Sequence, residues 1–162
     1  MIFVTVGEQL PFDRLISAID TWAAESGAEV LAQIGNTQLR PNSIKYKKHL
    51  DPVEFKSAFM AAEVIVAHAG MGTIITALEL EKPLLVMPRQ ASLGEHRNDH
   101  QFATAKRFLE QGYIDVAFDV PTLIKKLGNY KKIGKNMREI KTSCNLIRVL
   151  RDFVKNIKRN QK

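Results

Sequence analysis

The sequence predicts an α/β fold in which a parallel sheet is covered by helices on both faces. Short apolar runs, such as residues 2–6, 64–66 and 84–87, alternate with segments in which apolar residues recur every three or four positions. These runs lack the alternation of apolar and polar residues that marks a half-exposed strand, so they predict strands that are buried on both sides. Strands that alternate with helices in this way are typical of a Rossmann-like parallel sheet.

The N-terminal half is predicted to alternate between strands and helices from its first residues. Strands are predicted over 2–6, 29–34 and 44–50, and helices over 11–25 and 52–62. The strand at 44–50 carries several charges, so we expect it at an edge of the sheet. Asp51 and Pro52 indicate where the second helix begins, because aspartate is a favoured N-cap and proline a favoured first helical residue. The first helix is predicted because its apolar residues would share one face. These residues are Phe12, Leu15, Ile16, Ile19 and Trp22.

The C-terminal half continues the alternation and ends in a segment of a different kind. Strands are predicted over 63–67, 84–87 and 113–118, and helices over 73–81, 99–111 and 121–128. Pro83 and Gly112 are placed to end the helices that precede them. A long amphipathic helix is predicted from about residue 133, because apolar residues recur there at intervals of three and four. These residues are Ile133, Met137, Ile140, Cys144, Ile147, Leu150, Val154 and Ile157.

Length and composition fit a globular domain that needs neither disulfides nor structural metals. The chain has 162 residues, of which 45% are hydrophobic and 25% charged. Its one cysteine, Cys144, excludes an internal disulfide and a multi-cysteine zinc site, and we expect it to pack on the apolar face of the tail helix. The sequence shows neither a signal-peptide pattern nor a membrane-spanning run, so we expect a cytoplasmic location.

Positive charge is concentrated at the C-terminus. The chain has a net charge of +7, and residues 121–162 hold 13 of its 24 Lys and Arg but only 2 of its 17 Asp and Glu. We therefore predict a domain over 1–128 and a basic amphipathic helix over 129–162. Such a helix favours an anionic membrane surface or an acidic partner, although a solvated helix face is the simpler interpretation. Nucleic acid is disfavoured, because the basic charge is confined to one terminal segment.

The segment 68–73 is the first candidate binding site. It follows a predicted strand and opens a predicted helix, and its glycines let backbone N–H groups approach a ligand closely. The start of a helix favours anions, so this geometry suits a diphosphate. A glycine-rich turn beside a partly buried histidine is the alternative interpretation. The candidate diphosphate-binding residues are His68, Gly70, Met71, Gly72 and Thr73.

The polar segment 94–101 is the second candidate site. It lies between the carboxyl end of a predicted strand and the start of a predicted helix. Ligands of open α/β sheets bind at the carboxyl ends of the strands. Its side chains offer both donors and acceptors for sugar hydroxyls. The alternatives are a hydrated loop with helix caps, or a zinc site in which His96 and His100 join Asp99. The candidate sugar-binding residues are Asn98, Asp99, His100 and Gln101.

The loop after the first strand is a third, weaker candidate. Gly7 would let a ligand approach the backbone there, and Glu8 follows it. The segment matches neither a dinucleotide-binding glycine motif nor a P-loop. On its own it therefore indicates only a possible contact with a ligand.

Together these motifs resemble the C-terminal, donor-binding domain of family 28 glycosyltransferases, which have the two-domain GT-B fold. The likeness is strongest to the short subunits of two-component bacterial exopolysaccharide and capsule glycosyltransferases. The resemblance implies one half of a GT-B fold and an inverting hexosyltransferase that uses a UDP-sugar. The matching segments are collinear, cover about residues 1–120, and lie at 4–7, 68–73, 82–83, 87–89 and 94–101.

The resemblance also implies roles for the candidate residues. The segment 68–73 would hold the diphosphate, 98–101 would lie near the donor sugar, and Gly7 and Glu8 would lie near the nucleoside. Many relatives place a ribose-binding glutamate eight residues after the first residue of the 68–73 loop. This chain has Thr76 at that position and Glu79 one turn further along.

In a GT-B enzyme the acceptor site and the usual catalytic base lie in the other domain. The resemblance therefore implies a membrane-associated partner subunit that supplies the base and binds a lipid-linked glycan acceptor. The basic tail would help to recruit the chain to the cytoplasmic face of the membrane. No cofactor and no metal are expected, because loop amides and a helix N-terminus can stabilise a departing diphosphate.

We interpret the chain as the donor-binding subunit of a UDP-sugar-dependent glycosyltransferase in polysaccharide biosynthesis. Two other hypotheses remain at this point. One is a regulatory or scaffold subunit that keeps the fold without donor binding, which Thr76 in place of glutamate would favour. The other is a membrane-surface or nucleic-acid adaptor that acts through the basic tail.

Overall fold

A six-stranded parallel sheet organises the part of the chain that the structure describes. The computed structural model describes residues 1–8 and 10–135. The strands stand in the order β3-β2-β1-β4-β5-β6, and every neighbouring pair is parallel, which confirms the predicted Rossmann-like fold class. The strands are β1 (Ile2–Thr5), β2 (Val30–Gln33), β3 (Lys45–Lys47), β4 (Val64–His68), β5 (Leu84–Met87) and β6 (Asp115–Val116).

The helices begin and end largely where the sequence signals indicate. Asp51 accepts hydrogen bonds from the N–H groups of Val53 and Glu54, and Glu54 completes a capping box at the second helix. Gly27 closes the first helix in the left-handed conformation. The helices are α1 (Asp13–Ser26), α2 (Pro52–Ala61), α3 (Met71–Glu79), α4 (His100–Glu110) and α5 (Val120–Leu127). Two 3-10 turns lie at Ala91–Leu93 and Tyr130–Lys132.

Two apolar cores lie on the two faces of the sheet. Along β1, Ile2 and Val4 point into one core, whereas Phe3 points into the other. Because both faces are covered, the central strands β1, β4 and β5 carry apolar residues at nearly every position, which explains their continuous apolar runs. The first core receives α1 and α5 through Leu15, Ile16, Ile19, Leu123 and Leu127. The second core receives α2, α3 and α4 through Phe59, Ile74, Ala77, Ala105 and Phe108.

Some predicted boundaries are wrong, and local hydrogen bonds explain why. The last strand has two residues rather than the six predicted over 113–118. The N–H of Tyr113 still bonds back to the carbonyl of Phe108, so it closes α4 instead of entering the sheet. Helix α3 begins two residues earlier than predicted, because Gly70 already accepts the first helical bond, from Ile74.

The packed body includes residues beyond 128. Ile133, which the sequence pattern assigns to the tail, is buried in the first core. The N–H of Gly134 donates to the carboxylate of Asp115, and Lys126 pairs with the same carboxylate. Asp115 is the first residue of β6. Residues 133 and 134 therefore pack at the end of the sheet where the parallel strands begin. The predicted long C-terminal helix lies outside the described residues from 136 onward, and the boundary at 128 stays a prediction.

Candidate functional site

The reversal in strand order fixes where a ligand would bind. From β1 the chain moves to one side of the sheet through β2 and β3, and from β4 it moves to the other side through β5 and β6. The loops after β1 and β4 therefore diverge, and they leave a crevice at the carboxyl ends of these neighbouring strands. A small open cleft lies there, lined by Val6, Glu8, Leu10, His68, Arg89, His96 and Gln101.

The N-terminus of α3 faces this region with free N–H groups. Gly70 occupies the N-cap position, and no side chain caps the helix. In the described part of the chain, the N–H groups of Met71, Gly72 and Thr73 hydrogen-bond to no other residue. Free N–H groups and the positive end of the helix dipole together attract an anion. Of the sequence-predicted diphosphate residues, Met71, Gly72 and Thr73 therefore share one helix start, where their N–H groups can bind phosphate oxygens, whereas His68 ends β4.

Three glycines near the cleft have different physical reasons to lack a side chain. A Cβ on Gly70 would overlap the imidazole of His68, and one on Gly7 would lie 2.8 Å from its Cε1 atom. Gly7 also has a φ of +73°, which other residues rarely adopt. A Cβ on Gly72, in contrast, would meet nothing within 4 Å. Gly7 and Gly70 thus make room for the imidazole of His68, whereas the fold itself does not require a glycine at position 72.

His68 is held as a neutral ring. Its Nδ1 lies 3.5 Å from the carbonyl oxygen of Thr5, and since a carbonyl only accepts, this bond places the proton on Nδ1. Burial, reinforced by the positive charge of Arg89, lowers the pKa of His68 to about 4, against the opposing effect of the Thr5 bond. In this state Nε2 is an acceptor, so His68, a candidate diphosphate-binding residue, can donate to a phosphate oxygen only after it takes up a second proton.

Arg89 is a residue of this region to which sequence reasoning gave no role. Its side chain is buried and reaches back to the loop after β1, where it donates to the carbonyls of Val6, Leu10 and Pro11. The guanidinium carbon also lies 4.8 Å from the ring centroid of Phe12. The only signal in the sequence is a charged residue directly after an apolar strand and Pro88, which does not reveal contacts with residues some 80 positions away.

Gln101 joins two loops of the site. Its Oε1 accepts from the N–H of Ala69 at 3.2 Å and from the N–H of Arg89 at 3.3 Å. Because both partners are donors, the oxygen of the side chain must face them, and the NH2 group is left to face a ligand. Gln101 therefore has a structural role in addition to the predicted one near a sugar.

The rest of the polar segment 94–101 is divided between loop contacts and solvent. Glu95 accepts from Arg14 at 2.6 and 2.8 Å and from the N–H of Gln90, so its carboxylate fastens the loop to α1. Asp99 accepts from the N–H of Ala91. Asn98 accepts from the N–H of His100, and all three residues from 98 to 100 are exposed. His96 and Gln101 line the cleft, whereas Asn98, Asp99 and His100 are not among its lining residues.

Thr76 lies one helical turn beyond Gly72. Its hydroxyl donates to the carbonyl of Gly72 at 2.9 Å, so the oxygen keeps its capacity to accept a further hydrogen bond. Glu79 is exposed on the following turn. A ribose hydroxyl could donate to Thr76, but the interaction would lack the charge that a glutamate supplies.

The described residues form neither a metal-binding cluster nor a membrane-spanning helix. Among residues 1–8 and 10–135, no three or more His, Cys, Asp or Glu side chains gather in a way that could hold a metal ion. The zinc interpretation of His96, Asp99 and His100 therefore finds no support in the described residues. Within the same residues, no helix has the length and apolar character needed to cross a bilayer.

Comparison with known families identifies the fold and its class. Residues 1–160 match the model of the glycosyltransferase family 28 C-terminal domain. The chain belongs to this family. Family 28 membership confirms the resemblance to the C-terminal domain of this family and the expectation of a glycosyltransferase, whereas the finer likeness to bacterial exopolysaccharide subunits stays a prediction.

A curated relative and two solved structures extend the comparison. The family 28 chain is 27% identical over 126 residues to a mouse protein named UDP-N-acetylglucosamine transferase subunit ALG13. That match covers 69% of the chain but spans only about a tenth of the mouse protein. An NMR solution structure of ALG13 aligns with a TM-score of 0.59 at 18% identity, covering 89% of this chain and 90% of that one.

A UDP-GlcNAc 2-epimerase from Neisseria meningitidis, solved with UDP-GlcNAc bound, aligns with a TM-score of 0.58 at 10% identity. The alignment covers 95% of this chain and 44% of the epimerase. At such identities the two structural matches show the fold alone. Proteins of different names share this fold, so the fold alone does not fix the function, which depends on the residues of the site.

Proposed function

We propose that this chain binds the UDP-sugar donor of an inverting glycosyltransferase. The observation that carries the proposal is the uncapped start of α3, which leaves three N–H groups free directly after β4, where its N-cap Gly70 borders His68 of the cleft. Such a helix start matches a diphosphate in charge and in hydrogen-bonding capacity. Membership of family 28 supports a nucleotide-sugar as the source of that diphosphate.

The chemistry follows from where negative charge would grow. In an inverting transfer the acceptor hydroxyl attacks the anomeric carbon, the bond to the diphosphate oxygen breaks, and the nucleoside diphosphate leaves as an anion. The N–H groups of Met71, Gly72 and Thr73 are fixed before the reaction, so they can stabilise that anion without reorganising. The hydroxyl of Thr73 can donate one further hydrogen bond. We assign no metal and no cofactor to this step.

The donor sugar and the nucleoside would occupy opposite sides of the diphosphate. Gln101 lines the cleft, and its NH2 group, which lies opposite the bonded Oε1, is our first choice for a sugar hydroxyl. Asn98, Asp99 and His100 are exposed at the rim and would reach the sugar only at the outer edge of the cleft. On the nucleoside side, Thr76 can accept from a ribose hydroxyl, and Gly7 and Glu8 lie on the loop after β1.

We further propose that a separate subunit supplies the acceptor site and the general base. The mouse relative is itself named a transferase subunit, which supports a split enzyme. The partner would be membrane-associated and would present a lipid-linked glycan during polysaccharide assembly, at the cytoplasmic face of the membrane. The basic segment 129–162 would contribute to that assembly.

Calorimetric titration with UDP tests donor binding. The wild-type chain is expected to bind UDP, and Gly72→Asp to abolish binding, because it puts a carboxylate beside the diphosphate. Gly128→Asp is the matched control, since a Cβ there meets only ordinary contacts of 3.6 Å and the residue lies at the end of α5. UDP affinity that is equal in wild type and Gly72→Asp would remove the diphosphate assignment.

One other function has a specific observation in its favour. Thr76 stands where a ribose-binding glutamate is expected, which suits a scaffold subunit that has lost donor binding. The same titration decides between the two functions, because a scaffold subunit would show no saturable binding of UDP at millimolar concentration.

A further inference from the structure

Arg89 is a buried cation whose hydrogen bonds converge on one loop. It is only 2% exposed, and its guanidinium donates to three carbonyls that all belong to residues 6–11. Its bonds to Val6 and Leu10 are each 2.7 Å long. Burial lowers its pKa to about 10, so the group remains charged at neutral pH. Three charge-assisted bonds therefore fix the backbone of a loop that lines the cleft.

No carboxylate in the described residues forms an ion pair with Arg89. Glu95 is close enough to favour its charged form, but the Glu95 oxygens are occupied by Arg14 and by the N–H of Gln90. A stable buried arginine would more usually be paired with an acid. Its partners here are backbone carbonyls, which indicates that the arrangement holds a loop in place at the cost of burying a charge.

The same residue is connected to the candidate diphosphate loop. The backbone N–H of Arg89 and that of Ala69 donate to a single acceptor, the Oε1 of Gln101. Loop 6–11 in turn carries Gly7, which borders the imidazole of His68. Arg89 and Gln101 thus link the three chain segments that surround the cleft.

We propose that Arg89 is a positioning residue of the donor site, whose planar guanidinium holds the backbone at Val6, Leu10 and Pro11 against His68 and the start of α3. This inference rests on the proposed binding of a nucleoside diphosphate. The three hydrogen bonds that its guanidinium makes in the described residues all go to these carbonyls, which assigns the group to the loop. It acts on binding by fixing the wall of the cleft before the ligand arrives.

The planar shape of the Arg89 guanidinium matters for this role as well as its charge. Three carbonyls in a fixed arrangement match the rigid fork of arginine, whereas lysine offers one compact ammonium on a flexible chain. Arg89→Lys keeps the charge and removes the fork. Arg14→Lys is a matched control, because Arg14 also packs near Phe12 and is partly buried but donates to Glu95 and Pro88 instead of loop 6–11.

The experiment measures UDP affinity by calorimetry and backbone hydrogen exchange across residues 3–12 in the full chain. Arg89→Lys is expected to weaken UDP binding at least tenfold and to speed exchange in this segment. Its His68 resonances should also titrate at higher pH, as water reaches the ring. Arg14→Lys is expected to leave UDP affinity within twofold of wild type, whatever it does to thermal stability.

Arg89→Lys with wild-type affinity and wild-type exchange would overturn the proposal, and so would an equal loss of affinity in both variants. If Arg89→Lys does not fold, Leu10→Gly and Leu10→Ala provide the test, because both remove the same side chain and only glycine loosens the loop. Leu10→Gly is then expected to bind UDP at least threefold more weakly than Leu10→Ala, and equal affinities would contradict the proposal. A wild-type chain that fails to bind UDP would instead refute the proposed function itself.

Discussion

Gly70 and Gly72 are two residues apart, and the structure predicts opposite outcomes when each becomes alanine. At Gly70 a Cβ overlaps the imidazole of His68, so the ring must move within a packed site. Overpacking of this kind costs about 1–3 kcal/mol. At Gly72 a Cβ meets nothing within 4 Å, and replacing a helical glycine by alanine is worth up to about 1 kcal/mol in favour of the fold. Gly72→Ala should therefore be as stable as wild type or slightly more stable.

The effect on UDP affinity should differ from the effect on stability, because Gly72→Ala is expected to fold well and to bind UDP poorly. A methyl group at Gly72 stands where the diphosphate would approach the N–H groups of α3. Loss of one hydrogen bond to a charged phosphate is worth about 2 kcal/mol, or roughly thirtyfold in affinity. Thermal unfolding combined with UDP calorimetry measures both effects. A stable Gly72→Ala variant that binds UDP as tightly as wild type would refute the reasoning.

Three further predictions concern neighbouring residues. Gln101→Ala should weaken UDP as well as the intact UDP-sugar in calorimetry, because it leaves the N–H groups of Ala69 and Arg89 without their acceptor; unchanged UDP affinity would show that those bonds are dispensable. His68 has a folded pKa of about 4, below its unfolded value, so the unfolded state binds the extra proton first and stability should fall as pH drops from about 6.5 to 4. His68 accounts for a loss of up to about 3 kcal/mol in the free energy of unfolding. Urea unfolding of His68→Gln should not show this loss, and a pH profile identical to that of wild type would contradict the prediction. Glu95→Ala should lower the free energy of unfolding measured in urea by about 2 kcal/mol, since it leaves the partly buried Arg14 without its carboxylate partner; a variant as stable as wild type would show that the pair contributes nothing.

The parts of the fold that follow from local signals could be predicted from the sequence. Helix α2 is an example, because Asp51, Pro52 and Glu54 specify its start within four residues. The order strand, glycine loop, helix over β4 and α3 likewise depends on adjacent residues. The length of β6 was missed, since it depends on whether Tyr113 bonds to the helix before it or to the neighbouring strand.

The candidate site was predictable in location but only partly in its roles. The loops at 68–73 and 94–101 were expected near a ligand, and the reversal of strand order brings the first of them to the crevice. Glu95 sits in the predicted sugar-binding segment, yet its carboxylate is held by Arg14, 81 residues away in sequence. Contacts of this range depend on the completed fold, so the role of Arg89 could not be inferred from spacing.

Titration of a 15N-labelled chain with UDP, followed residue by residue, tests the central claim most directly. We expect the largest changes in amide chemical shift at Met71, Gly72 and Thr73, and smaller changes at Gly7 and Gln101. Helices α2 and α5, which lie away from the crevice, should be unaffected. Saturable binding that leaves the amide shifts of residues 71–73 unchanged, or no binding at all, would contradict the proposed donor site.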